Sequence, residues 1–153
     1  MSTWYRVQKT NNIQDTFSGE GGLYAAGRWN YRGKKAVYCS QSLALCTLEW
    51  LANHGLSVSG FNYYRYSLEV PDQLIVRCTH SELPSDWAKT PPTDSTRHFA
   101  EKHLYQANIV AIAVPSVLVP EECNLVINPA HKEFPKLLHS VKCLGQHQAP
   151  KRE

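Results

Sequence analysis

Glu49 is the only carboxylate in the fourteen residues from Gln41 to His54, a stretch otherwise dominated by apolar side chains. A carboxylate in such a setting costs free energy unless it is paired or solvated in a cleft. It reads either as a group held at the floor of a site or as part of a helix face turned to water, and pattern alone favours the second. Arg28 follows a glycine in Gly27-Arg28-Trp29-Asn30. A guanidinium there can grip a phosphate or carboxylate with two parallel bonds, or it can stack on Trp29 or Tyr31 at the surface. Arg6 lies in the apolar opening Trp4-Tyr5-Arg6-Val7, where its charge calls for a buried partner or an anionic ligand. Tyr38 ends a short apolar run just before the segment bearing Glu49. Core packing accounts for most such tyrosines. Ser116 follows Pro115 at the end of the strongest buried strand, where loops of α/β proteins present functional groups. An ordinary turn serine fits the same position.

Other chemistries lack their residues. The chain carries no G-x-x-x-x-G-K-[ST], no strand-to-helix G-x-G-x-x-G, no H-E-x-x-H and no G-x-S-x-G. His98 and His103 stand five apart on one expected helix and point away from each other, so no metal site is expected. Five cysteines, Cys39, Cys46, Cys78, Cys123 and Cys143, are odd in number, and no two have C-x-x-C spacing. Reduced thiols in a cytoplasmic protein are expected. A formal charge of +3 is too slight to argue for a direct nucleic-acid contact. No run approaches the length of a membrane span, and Met1 to Arg6 lacks the pattern of a secretory signal.

The elements that must position these residues follow from pattern. A chain of 153 residues with 42% hydrophobic residues suits one domain with a real core. Ala36 to Cys39 reads as a short buried strand. A helix follows from about Leu43 to His54, with Ser40 or Ser42 as its cap, Gly55 as its stop, and Leu45, Leu48 and Ala52 on one face. Phe61 to Val70 and Leu74 to Cys78 read as strands, and the proline-rich Leu83 to Asp94 as a surface loop. A second helix is expected over Thr96 to Gln106, capped by Asp94 or Ser95. Strands are expected at Ile109 to Val114, broken by Pro115-Ser116, and at Asn124 to Ile127. The class is α+β: a single domain with a mixed sheet and flanking helices. The domain is placed at residues 1–144, and 145–153 are expected to be a polar, loose tail.

The motifs taken together have an order. Gly21-Gly22-Leu23, Gly27-Arg28-Trp29-Asn30, Val37-Tyr38-Cys39-Ser40, Leu48-Glu49-Trp50-Leu51, Val114-Pro115-Ser116 and Asn128-Pro129-Ala130-His131 occur in the order and spacing of the RES domain, and the chain resembles that family from Trp4 to His131. The Arg, Glu and Ser that name the family match Arg28, Glu49 and Ser116. Its early arginine matches Arg6 and its strand tyrosine Tyr38. The chain departs from the family at its end, where Val141-Lys142-Cys143-Leu144-Gly145 and a basic tail replace an acidic, aromatic segment.

The resemblance implies a fold similar to the ADP-ribosyltransferase toxins and a cleft for NAD. It implies the toxin of a bacterial toxin–antitoxin pair, neutralised by an antitoxin with a helix-turn-helix region. NAD is then a substrate rather than a prosthetic group, cleaved at the nicotinamide–ribose bond with inorganic phosphate or water as acceptor. An ADP-ribosyltransferase acting on a macromolecule and a non-enzymatic interaction protein are the alternatives, and a homo-oligomer is compatible with either. Within this reading Glu49 stabilises the developing ribose cation, while Arg6 and Arg28 hold the diphosphate or an incoming phosphate. Tyr38 packs on nicotinamide or bonds a ribose hydroxyl, and Ser116 orders the ligand or Glu49. Ser40 and Asn128 lie one layer behind.

Overall fold

Hydrophobic runs of strand length dominate the chain, and in the computed structural model they assemble into one sheet. The structure describes residues 1–55 and 60–149. The strands are β1 (Ser2–Gln8), β2 (Val37–Ser40), β3 (Asn62–Val70), β4 (Ile75–Arg77), β5 (Ala111–Pro115), β6 (Cys123–Ile127) and β7 (Lys142–Gln148). They form a seven-stranded mixed sheet of order β4-β5-β6-β2-β1-β3-β7. Among the described residues only the β4–β5 pair is parallel. The helices are α1 (Ile13–Thr16), α2 (Gly21–Tyr24), α3 (Leu43–His54), α4 (Asp94–Ala100) and α5 (Phe134–Leu138).

Alternation along the strands divides the core between the two faces. On one face Trp4, Val37, Cys39, Leu125 and Ile127 pack with Phe17, Phe134 and Leu137. On the other, Ile112, Val114 and Val126 pack with Trp29, Ala100 and Leu104, while Val7 and Tyr63 pack with Cys46 and Trp50 of α3. β5 is buried along its whole length, which explains its unbroken apolar sequence.

α3 begins and ends where the sequence predicts, because both caps are present. Ser42 Oγ accepts from the Leu45 amide at 3.1 Å, and Gly55 closes the helix at φ 60°. Its buried face is rotated from the expected one. Leu45, Cys46 and Trp50 are buried, whereas Leu48 is 44% exposed, because the helix packs on Val7 of β1 and Tyr63 of β3 through its Cys46 and Trp50 side.

Other expectations are corrected. The second helix starts at Asp94, so Thr93 rather than Asp94 or Ser95 is its N-cap residue, and from Glu101 to Gln106 it widens into a π-helix. β5 runs one residue further than expected, through Pro115 opposite Cys123, and ends before Ser116. The tail is not loose through Ala149. β7 pairs with β3 from Ser67↔Lys142 to Asn62↔Gln148 around a bulge at Arg65/Tyr66, and Ala149 is buried. An edge strand needs only one paired side, so polar residues tolerate it there. The rest of the tail, 150–153, and residues 56–59 lie outside the described residues. Among the described residues no helix is long and apolar enough to cross a membrane.

Candidate active site

Strand register brings the polar residues together. Ser40 pairs with Asn124 across β2 and β6, and Val114 of β5 pairs with Asn124 on its other side. Ser116 therefore sits just beyond the sheet end that carries Ser40 and Asn124. α3 crosses above this end and lowers Glu49 onto it. Ser116 Oγ donates to Glu49 Oε1 at 2.7 Å, and Asn124 Nδ2 donates to the same oxygen at 2.8 Å. Behind them Ser40 Oγ donates to Asn124 Oδ1 at 2.7 Å. Ser116 is itself fixed, because its Oγ accepts from the amides of Leu118 and Val119 at 3.1 Å each. Among the described residues both side-chain donors to the carboxylate reach Oε1, and Glu49 lines the cavities in front of it.

Two cavities share a wall made of Tyr38, Glu49, Asn53 and Asn124. The smaller, about 270 Å³, opens between β1, β2 and α3 and includes Arg6 and Ser40. It exists because β1 and β2 are paired at Tyr5↔Ser40 alone and diverge beyond that point. Arg6 fills the fork. Its Nε donates to Thr16 O at 2.7 Å and its Nη1 to Tyr38 O at 2.9 Å. The larger cavity, about 540 Å³, includes Arg28, Arg97, Thr90 and Leu118. Arg28 Nη1 donates to Trp87 O at 2.9 Å and Lys89 O at 2.8 Å, tying it to the proline-rich loop.

Both guanidiniums are thus oriented by carbonyls. A carbonyl fixes direction without cancelling charge, so each arginine stays a cation available to an anion. Burial lowers the pKa of Arg6. Burial also lowers that of Arg28, with Glu49 opposing the effect and Arg97 adding to it. An anionic ligand beside either group offsets this desolvation.

Tyr38 serves the loop that carries Arg28. Its hydroxyl donates to Asn30 Oδ1 and accepts from the Trp29 amide at 3.3 Å, and burial raises its pKa. The hydroxyl is thereby occupied, and the ring remains as cavity wall. Asn30 Oδ1 also accepts from the Gly27 amide at 3.0 Å. Gly27 must be glycine at this crowded turn. A Cβ would stand 2.5 Å from Asn30 Oδ1 and 2.6 Å from the Tyr38 hydroxyl.

Of the residues expected at a site, Arg6, Arg28, Tyr38, Ser40 and Glu49 line the two cavities, and Ser116 stands directly behind Glu49. Asn128 is the exception. It lies past the far end of β6, where its amide donates to Val110 O at 2.8 Å and its Oδ1 accepts from the Ala130 amide at 3.0 Å. It shapes a turn and borders neither cavity. Sequence reasoning missed Asn124, Asn53 and Arg97. A polar residue at the start of an otherwise apolar strand was the available signal for Asn124. Cys39 and Cys46 line the smaller cavity, and burial pushes both thiols up to about 12, so neither is a thiolate nucleophile near neutral pH.

A carboxylate with one oriented oxygen, set between two cavities that each hold a cation, can stabilise a positive centre while anionic groups bind on either side. Comparison with known proteins gives this arrangement its context. The family described as the RES domain matches residues 3–149. The chain is 31% identical over 141 residues to "Toxin Res" of Yersinia enterocolitica, covering 92% of this chain and 93% of that protein. It is 35% identical over 122 residues to "Prs ADP-ribosylating toxin" of a Sphingobium species, covering 78% and 76%. The fold is similar to a chain of the M. tuberculosis MbcT–MbcA toxin–antitoxin complex. The TM-score is 0.68 at 15% identity, over 97% of this chain and 84% of that one.

Proposed function

Because the chain belongs to the RES-domain family, we propose that it is the toxin of a toxin–antitoxin pair and that it depletes NAD by cleaving the nicotinamide–ribose bond. The observation that carries this reading is Glu49, held through Oε1 by Ser116 and Asn124 on the wall common to both cavities. Cleavage builds positive charge on the ribose, as in glycoside hydrolysis. Nicotinamide is already a cationic leaving group and departs neutral with the bonding electrons, so no general acid is needed. A fixed carboxylate beside the ribose stabilises the cation that remains.

The larger cavity suits the dinucleotide, with Arg28 at its diphosphate and the Tyr38 ring as a wall beside the nicotinamide end. The smaller cavity suits the acceptor, with Arg6 as the cation for inorganic phosphate. A phosphate oxygen attacking the ribose carbon yields ADP-ribose 1″-phosphate. Attack by water yields ADP-ribose and releases a proton to solvent. An antitoxin with a helix-turn-helix region restrains the activity, and co-expression with it restores growth to a host that the free protein arrests.

The name of the Sphingobium relative, an ADP-ribosylating toxin, supports a second reading in which a macromolecule is the acceptor in the same cleft. One experiment separates the two. Purified protein is incubated with NAD, with and without inorganic phosphate, and the products are weighed by mass spectrometry. NAD loss with no protein target present supports a small acceptor. NAD loss only on adding a cell extract, with a mass gain on a protein, supports transfer. NAD intact in both contradicts the proposal.

A further inference from the structure

Arg97 is a residue that the family motifs do not single out, yet it lines the larger cavity beside Arg28. α4 turns its side chain onto the Gly27-Arg28 segment. Arg97 Nε donates to Gly27 O at 2.8 Å, and its neighbour Thr96 donates through Oγ1 to Arg28 O. The guanidinium is therefore aimed by a carbonyl, as those of Arg6 and Arg28 are. It has a carboxylate partner in Asp94, at 2.9 Å, but the Asp94 side chain is 78% exposed and that of Arg97 only 18%. An ion pair with one partner in water is weak, so this contact leaves most of the cation's capacity unused.

The protein thus keeps two cations on the lining of one cavity, near enough that Arg97 lowers the pKa of Arg28, and the acid that lines it, Glu49, sits on the wall shared with the smaller cavity. Their mutual effect is unfavourable while the cavity holds no anion, and a ligand with two adjacent negative charges relieves it.

We infer that Arg97 and Arg28 together form a diphosphate clamp, with Arg97 as a substrate-binding residue and Asp94 as the anion it exchanges for the ligand. The clamp deepens the NAD-cleavage reading and rests on it for the identity of the nucleotide, but the diphosphate chemistry stands on the geometry alone. It also assigns the two phosphates of the dinucleotide to one cavity, leaving Arg6 across the wall for the acceptor.

The test is calorimetric titration of the full chain with inorganic diphosphate, and separately with ADP-ribose, for wild type, Arg97→Gln and Asp94→Asn. Thermal melting of each variant is the control for folding. Arg97→Gln is expected to weaken both ligands by about tenfold or more, the scale for loss of a charge-assisted contact. Asp94→Asn is expected to tighten both, since the competing carboxylate is gone. A residue that merely staples the loop through its ion pair predicts the opposite sign for Asp94→Asn.

Unchanged affinity in Arg97→Gln overturns the clamp, as does weaker binding in Asp94→Asn or no diphosphate binding by wild type. If Arg97→Gln melts far below wild type, Asp94→Asn alone decides. Clamp behaviour in a protein that leaves NAD intact retains this inference and removes the cleavage reading.

Discussion

Glu49 is held by side chains from three strands or strand ends: Ser116 after β5, Asn124 on β6, and Ser40 on β2 behind it. Arg6 and Arg28 are held instead by main-chain carbonyls of Thr16, Tyr38, Trp87 and Lys89. The difference follows from what each group has to do. A carboxylate meant to face a developing cation must be pinned by donors at one oxygen, and neutral donors pin it without removing its charge. A guanidinium meant to receive an anion must be aimed by acceptors that are themselves neutral. Had a buried carboxylate been the partner of Arg6, the cation would have been spent. The acid end and the cationic ends of the site are therefore built by opposite devices that preserve charge in both cases.

Removing the pinned group should have the largest effect. Glu49→Ala is expected to reduce NAD turnover by about 10³-fold or more, on the scale of losing a preorganised electrostatic contact, and to abolish growth arrest. The circular dichroism spectrum should remain that of the folded protein.

Removing the pins should have the next largest effect. Asn124→Ala and Ser116→Ala are each expected to lower kcat by about 10–100-fold with a smaller change in KM. Each leaves Glu49 in place with one donor fewer. Equal losses in kcat and in NAD affinity would mean that these residues touch the substrate rather than orient the acid.

On the cationic side, Arg28→Lys is expected to weaken NAD binding by about 1–3 kcal/mol, because an ammonium cannot reproduce the fork of a guanidinium. Titration with NAD measures it directly, and unchanged affinity would break the comparison at that end. The smallest effect belongs to the wall. Tyr38→Phe removes a hydroxyl that bonds Asn30 and Trp29 and is expected to cost about 1 kcal/mol of folding stability. Turnover should stay close to wild type, since the ring remains. A collapse of kcat in Tyr38→Phe would return the hydroxyl to the chemistry.

Legibility in the sequence followed physical scale. α3 was readable to the residue because Ser42 and Gly55 bracket an apolar run with standard caps. β5 was readable because a fully buried strand has no polar interruption. β7 was not, because half of an edge strand's backbone bonds to water and its side chains need no apolar pattern. α1, α2 and α5 span four or five residues each, too few for a helical period to register.

At the site, Arg6, Arg28, Tyr38, Ser40, Glu49 and Ser116 were found through the family resemblance, and their local settings alone left other readings open. Asn124 carried a faint signal as the polar start of an apolar strand, but strand register is what sets it between Ser40 and Glu49. Arg97 became visible only through the packing of α4 on the Gly27-Arg28 turn. Asn128 belongs to a motif of the resemblance, but four residues along a strand carry it to the opposite end of the sheet.

The central claim is that the carboxylate of Glu49 acts on the transition state rather than on binding. Glu49→Gln tests it most directly, because the amide can keep the shape of the side chain and one acceptor oxygen while losing the charge. NAD affinity and single-turnover cleavage should be measured on the same preparation of wild type and variant. The account predicts NAD affinity within a few-fold of wild type and cleavage reduced to near background. Cleavage by Glu49→Gln at the wild-type rate would contradict it.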